Sequence, residues 1–394
     1  MSRIESKEPE AVVGGCRSRR ARRGGAARLV VLVLACAALM LARPVGQHVR
    51  AAQLLVSFAD ATASPHVTTE DVKLEVPSGA GPARVVPARI FRPEGGADAP
   101  GIVLIHGVHY KGIEEPRLTR FAKAVSSVGF TVMTPEVSEL SGYEVAAPAI
   151  DTVGAAVTSL RARLGRDKVG VMGMSFGGGV GLLAAADPRF ADAVSFVVAV
   201  GAHDDLARVS RFFVTSEAEQ VDGGKKPAKA HDYGAVVLMY SHASDFFAAE
   251  DVPTARRALR AWLREERDEA RTVARGLGPA ARQKVERLFD GDLEPFRAEI
   301  LAAVAKRDAE MRDVSPAGHL GGLRAPVFLL HGAGDTVIPS TETEWLATHV
   351  PARRLRAVLV SPAIVHVELE SPTLGQKAEL VHFMGEVLAA AEAS

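Results

Sequence analysis

The stretch that most constrains how this chain can fold is 168–179, Lys-Val-Gly-Val-Met-Gly-Met-Ser-Phe-Gly-Gly-Gly. A short apolar run that reads as a strand meets Ser175, flanked by Gly173 and Gly177. An Ala/Leu/Gly-rich segment at 180–186 follows and reads as a helix. Residues 173–177 fit the G-x-S-x-G pattern of a serine on a sharp strand-to-helix turn. Such a turn strains the serine's backbone, and its neighbours two positions either side must lack side chains for strand and helix to close up. It also sets Ser175 at a helix N-terminus, where free N–H groups and the positive dipole end favour developing negative charge. Gly-rich turns of this kind also bind phosphate or only pack tightly, so the pattern takes its meaning from its context.

That context is a strand–helix rhythm. Residues 72–76 alternate like a half-exposed strand, with 84–91 as the hairpin partner. The continuously apolar 101–105 reads as a central strand covered on both faces. A helix over 118–128, a strand over 130–135, a helix over 147–164 and a buried strand over 193–200 complete a βαβ series, which implies a mainly parallel sheet. The rhythm stops at Gly201. Residues 203–324 are rich in Ala, Arg and Glu and read as a helical insertion. It has one strand-like apolar run at 235–240, an exposed loop at 223–227, a single long charged helix over 253–274, and helices near 279–289 and 293–307. Strands return at 325–330 and 355–360, with helices over 341–349 and 374–391. The expected organisation is an N-terminal segment and linker helix (1–63), a first core part (64–201), the helical insertion (202–324) and a second core part (325–394).

Two of the returning loops hold partners for Ser175. Asp335 follows the strand ending near Leu330, and His366 follows the last strand. Ligands of open parallel sheets bind outside the carboxyl ends of the strands. All three residues thus fall on one edge, in the order Ser, Asp, His. At these residues the chain resembles the α/β-hydrolase fold, over 72–200 and 325–391. The resemblance implies that Ser175 is the nucleophile, His366 the general base and Asp335 the acid that orients it. His106-Gly107 resembles the family's oxyanion loop, so the backbone N–H groups of Val108 and Phe176 would hold the oxyanion. The insertion stands where such enzymes carry a lid. The departure from the family's pattern is Val365, where a glycine often precedes the histidine. Glu136, after the strand ending at Pro135, is the rival acid. His349 and His382 lie in expected helices and are poor rivals to His366.

The resemblance implies hydrolysis of an ester, thioester or amide of a small molecule, with no cofactor. Acyl transfer or peptide cleavage on the same fold, and a non-catalytic scaffold with a hydrolase-like core, are the alternatives. Lysine plus arginine equals aspartate plus glutamate, 47 each, so no global field points to nucleic acid. His203-Asp204-Asp205 resembles a metal-ligand triplet in composition only, and no dinucleotide or phosphate-loop fingerprint opens a βαβ unit. Cys16 and Cys36 are the only cysteines, which leaves the core without a disulfide or a thiol nucleophile. Arg17, Arg19, Arg20, Arg22, Arg23 and Arg28 precede an apolar stretch at 29–42. That order reads as an uncleaved membrane anchor with the remainder exported. A cleaved signal and a mis-assigned start before a cytosolic enzyme are the alternatives.

Overall fold

The computed structural model describes residues 45–60, 62–63, 65–78, 81–96, 98–365, 368–369 and 373–393. The basic cluster, the apolar stretch 29–42 and His366 lie outside them. The chain divides into two units, Met1–Gln47 and His48–Ser394, and the sheet and its helices belong to the second. Among the described residues no helix is long and apolar enough to cross a membrane.

In chain order the first part of the core is α1 (45–59), β1 (Val67–Ser78), β2 (Gly81–Pro93), β3 (Gly101–Ile105), α2 (Pro116–Ser127), β4 (Thr131–Pro135), α3 (Ser138–Ser141), α4 (Pro148–Leu164), β5 (Val169–Met174), α5 (Phe176–Ala186) and β6 (Val194–Val200). Next come α6 (Leu206–Thr215), β7 (Glu217–Glu219), β8 (Lys225–Pro227), α7 (Tyr233–Ser241), α8 (Ala243–Phe246), α9 (Val252–Leu263), α10 (Arg267–Ala274), α11 (Pro279–Phe289), α12 (Arg297–Lys306) and α13 (Asp308–Arg312). The core resumes with β9 (Val327–Gly332), α14 (Thr341–His349), β10 (Leu355–Ser361), β11 (Ile364–Val365), β12 (Glu368–Leu369) and α15 (Leu374–Glu392).

Eight strands form one sheet in the order β1-β2-β4-β3-β5-β6-β9-β10. β1 and β2 run antiparallel, β2 meets β4 antiparallel, and every later pairing is parallel. The apolar strands are continuous because successive residues enter opposite cores. Val103 and Ile105 join Val153, Leu160 and Val180 of α4 and α5. Ile102 and Leu104 join Leu54, Phe121 and Phe383 of α1, α2 and α15. Each such side chain removed from water contributes about 1.5–3 kcal/mol.

The segment between β6 and β9 corrects three sequence expectations. The strand-like run 235–240 is helical, within α7. Gly234, Ala235, Val236, Leu238, Met239 and Tyr240 are all buried, and a helix that is apolar all round shows neither helical nor strand period. The single helix over 253–274 is two, α9 and α10, broken where Glu265 takes φ 67°. No glycine marks that break. Tertiary contacts hold it, with Trp262 stacked on Phe289 at 4.0 Å and the Arg267 guanidinium over Trp262 at 3.8 Å. The exposed loop 223–227 is instead the turn and second strand of the β7–β8 hairpin.

A buried ion cluster fixes the start of this segment to the core. The Arg208 guanidinium of α6 lies 2.5 Å from Glu342 Oε1 on α14 and 2.8 Å from Asp204 Oδ2. Glu342 Oε2 also accepts the N–H groups of Asp204 and Asp205, at 2.8 and 3.0 Å. Burial pushes the Glu342 carboxyl up, and Arg208 opposes that shift. The hydrogen bonds are what make so buried a carboxylate tolerable.

Candidate active site

β5 ends at Met174, and the chain turns at Ser175 with φ 54° and ψ −134° before α5 begins. This is a strained conformation for a residue with a Cβ, costing about 1–3 kcal/mol. The Ser175 N–H donates to the Val200 carbonyl at the end of β6 (2.7 Å), and its own carbonyl accepts from Gly178 N–H (2.9 Å). The flanking glycines are steric necessities. A Cβ on Gly173 would overlap the Gly177 carbonyl, and one on Gly177 would overlap the His106 carbonyl. The loop after β3 comes as close from the other side: a Cβ on Gly107 would stand 3.0 Å from Ser175 Cβ and 3.6 Å from its Oγ. The strand-to-helix turn, the end of β6 and the loop after β3 therefore meet at this serine.

The loop carrying Val108 is held from below and above. His106 is buried, with Nδ1–H donating to the Gly107 carbonyl (2.8 Å) and Nε2 accepting from Val137 N–H (3.0 Å). The phenol of Tyr233 donates to the Val108 carbonyl (3.1 Å). Glu136, the rival acid, accepts from Ile113 N–H (3.0 Å), and its carboxylate fills the space over Gly112, whose φ is 47°. Its observed work is to hold that turn.

Asp335 stands just past β9. Its Oδ1 accepts from the N–H groups of Val337 (2.8 Å) and Ile338 (2.9 Å). Its Oδ2 lies 3.5 Å from Nε2 of buried His331, which also bonds the Ile338 carbonyl (2.9 Å) and, through Nδ1, Thr343 Oγ1 (2.6 Å). The chain after β10 packs on this loop. Ala333 N–H donates to the Ser361 carbonyl (3.0 Å), Gly332 lies against the Ile364 carbonyl, and a Cβ on Gly334 would touch Val365 Cγ2 at 4.0 Å. The parallel strands thus bring Ser175, Asp335 and the chain leading to position 366 to one edge, with β5 and β9 separated by β6 alone. His366 itself is outside the described residues.

His331, Arg208 and Glu342 are polar residues that sequence reasoning passed over. The available signal was a histidine ending an apolar strand run. The triplet His203-Asp204-Asp205 divides its labour. His203 Nε2 bonds the Val314 carbonyl (3.1 Å) and its ring lies 5.3 Å from that of Phe176. Asp204 pairs with Arg208 and with His349 Nδ1 (2.9 Å). Asp205 caps α6 through Arg208 N–H (2.7 Å). Among the described residues no three His, Cys, Asp or Glu side chains converge to hold a metal ion.

Burial lowers the pKa of both His106 and His203. Each is neutral when folded and free to protonate when unfolded, so each contributes stability above its ordinary value near 6.5 that is lost as pH falls below it. Each adds up to about 1.4 kcal/mol per pH unit. The urea midpoint should therefore fall clearly from pH 7.5 to 5.5, and His203→Gln should flatten that fall. An unchanged midpoint would contradict this assignment.

Beside the Ser175 turn lies a cavity of about 430 Å³. Phe176, Val108, Leu206, Phe213, Leu238 and Met311 are among the residues that line it, together with the exposed Glu144, Glu310 and Asp313.

A mainly parallel sheet with helices on both faces, a strained serine turn after a central strand and an aspartate past the end of a strand two places along define the class: a hydrolase-type α/β fold. The chain belongs to the alpha/beta hydrolase fold family, whose sequence profile matches residues 121–362. A pimeloyl-[acyl-carrier protein] methyl ester esterase from Aromatoleum aromaticum is 29% identical over 257 residues, 65% of this chain and 88% of that protein. A crystal structure of a protein from Legionella pneumophila superposes with a TM-score of 0.50 at 15% identity, covering 84% of this chain and 91% of the other. An acylaminoacyl peptidase from Pyrococcus horikoshii gives a TM-score of 0.45 at 11% identity, covering 82% of this chain. This chain spans about two fifths of that peptidase, 41% of its length.

Proposed function

We propose that the protein is a serine hydrolase that cleaves an ester through an acyl-enzyme. Ser175 is the nucleophile, His366 the base that takes its proton, and Asp335 the carboxylate that orients and stabilises the imidazolium. The N–H groups of Val108 and Phe176 receive the oxyanion. Attack of Oγ on the acyl carbon gives a tetrahedral intermediate. Its collapse expels the alcohol, which takes the proton from His366. Water deprotonated by the same imidazole then attacks the acyl-enzyme, and the carboxylic acid leaves as the proton returns to Ser175. The backbone of Ser175 supports this reading best. Glycine would adopt φ 54° without strain, whereas a residue bearing a hydroxyl keeps the strain and offers a nucleophile. The relative's methyl ester favours an ester over an amide. Export or tethering through 29–42 is proposed on sequence alone.

The cavity beside Val108 and Phe176 takes the apolar part of the substrate, and its size falls within the range of about 300–1,000 Å³ usual for small-molecule sites. Each buried methylene contributes about 0.8 kcal/mol, or roughly fourfold in kcat/KM. For p-nitrophenyl esters kcat/KM should climb from acetate towards octanoate. Val237→Trp, which narrows the cavity, should move the optimum to shorter chains. A series flat in both proteins would remove the cavity from the reading.

A further inference from the structure

The start of α7 touches both loops of the proposed site. The Tyr233 phenol donates to the Val108 carbonyl at 3.1 Å, and the His231 N–H donates to the carbonyl of Thr336, the residue after Asp335, at 2.8 Å. Tyr233 N–H in turn donates to His231 Nδ1 (3.1 Å), which ties the two contacts into one unit. The helix behind is well seated. Gly234 lies flat against the Phe213 ring of α6, and Ser241 Oγ donates to the Tyr143 carbonyl (2.8 Å).

We propose that Tyr233 is a positioning residue: its hydroxyl holds the Val108 backbone in the orientation that completes the oxyanion site. The site is then assembled only when α7 sits on the core. This rests on the serine-hydrolase reading and adds a control to it. The physical argument concerns freedom. Val108 sits between Gly107 and the φ 47° turn at Gly112, so its loop has glycines at which to swing. A hydrogen bond to the Val108 carbonyl restricts its ψ, and its N–H shares the same Cα. Oxyanion donors help in proportion to being fixed beforehand, since donors that must reorganise lose part of their effect. Burial raises the Tyr233 phenol well above its ordinary 10, so it stays a donor throughout the working range.

Tyr233→Phe keeps the ring and removes only the donor. Loss of an oxyanion donor itself costs about 100- to 1000-fold, and loosening one should cost less, about tenfold in kcat with KM within twofold. Affinity for a trifluoromethyl ketone, which forms a tetrahedral adduct with the serine, should fall by the same factor as kcat/KM. Met239→Leu is the comparison. Met239 is buried on the same helix and is not among the residues lining the cavity, so this near volume-conserving change should leave both kcat and KM within twofold. Unchanged kcat in Tyr233→Phe, or a matching kcat loss in Met239→Leu, overturns the positioning role. Absence of turnover in wild type, or turnover retained in Ser175→Ala, overturns the serine-hydrolase reading instead.

Discussion

Ser175→Ala is expected to lose ester hydrolysis by roughly 10⁴- to 10⁶-fold while keeping the fold, the loss usual when a triad nucleophile is removed. Almost nothing about the packing should change, because Oγ is the one atom removed and the strained backbone at φ 54° is common to serine and alanine. Ser175→Gly separates strain from chemistry. It should be equally inactive yet more stable than Ser175→Ala by about 1 kcal/mol, because glycine takes a positive φ without penalty and the relief exceeds its greater entropy loss. The measurements are p-nitrophenyl ester turnover, labelling by a fluorophosphonate probe, and urea midpoints of the three proteins. Labelling of wild type and of neither variant is the expected pattern. An alanine variant that still labels or turns over at a few per cent of wild type would take the nucleophile away from position 175.

Sequence revealed those parts of the molecule whose physics is local. The runs 101–105 and 193–200 show as strands because both faces are buried, and the glycines at 173 and 177 show as a turn because backbones meet there. Helix α7 was hidden for the opposite reason: being apolar on nearly every side erased its period. The break between α9 and α10 depends on Trp262 meeting Phe289, a contact between positions 27 residues apart that no local rule contains. The site divides in the same way. Ser175 and Asp335 announce themselves by standing past strand ends. Tyr233 and His331 act through bonds to backbone carbonyls and a hydroxyl, for which the sequence carries no spacing signal.

Asp335→Asn should lose about 10⁴-fold in kcat with little change in stability, the loss seen when a triad carboxylate becomes an amide that favours the wrong imidazole tautomer. Two N–H groups, from Val337 and Ile338, converge on Oδ1. The asparagine oxygen accepts both, so the turn keeps its bonds while the carboxylate charge disappears. Asp335→Ala removes the acceptor as well. It leaves two donors without their partner and should cost a further ~1–3 kcal/mol in a urea titration. The amide therefore reports the electrostatic role alone, and the alanine reports it together with the structural one. Glu136→Gln is the decisive contrast, since its side-chain oxygen still accepts from Ile113 N–H and turnover should stay within a fewfold of wild type. Full activity in Asp335→Asn together with collapse in Glu136→Gln would move the acid from the end of β9 to the end of β4.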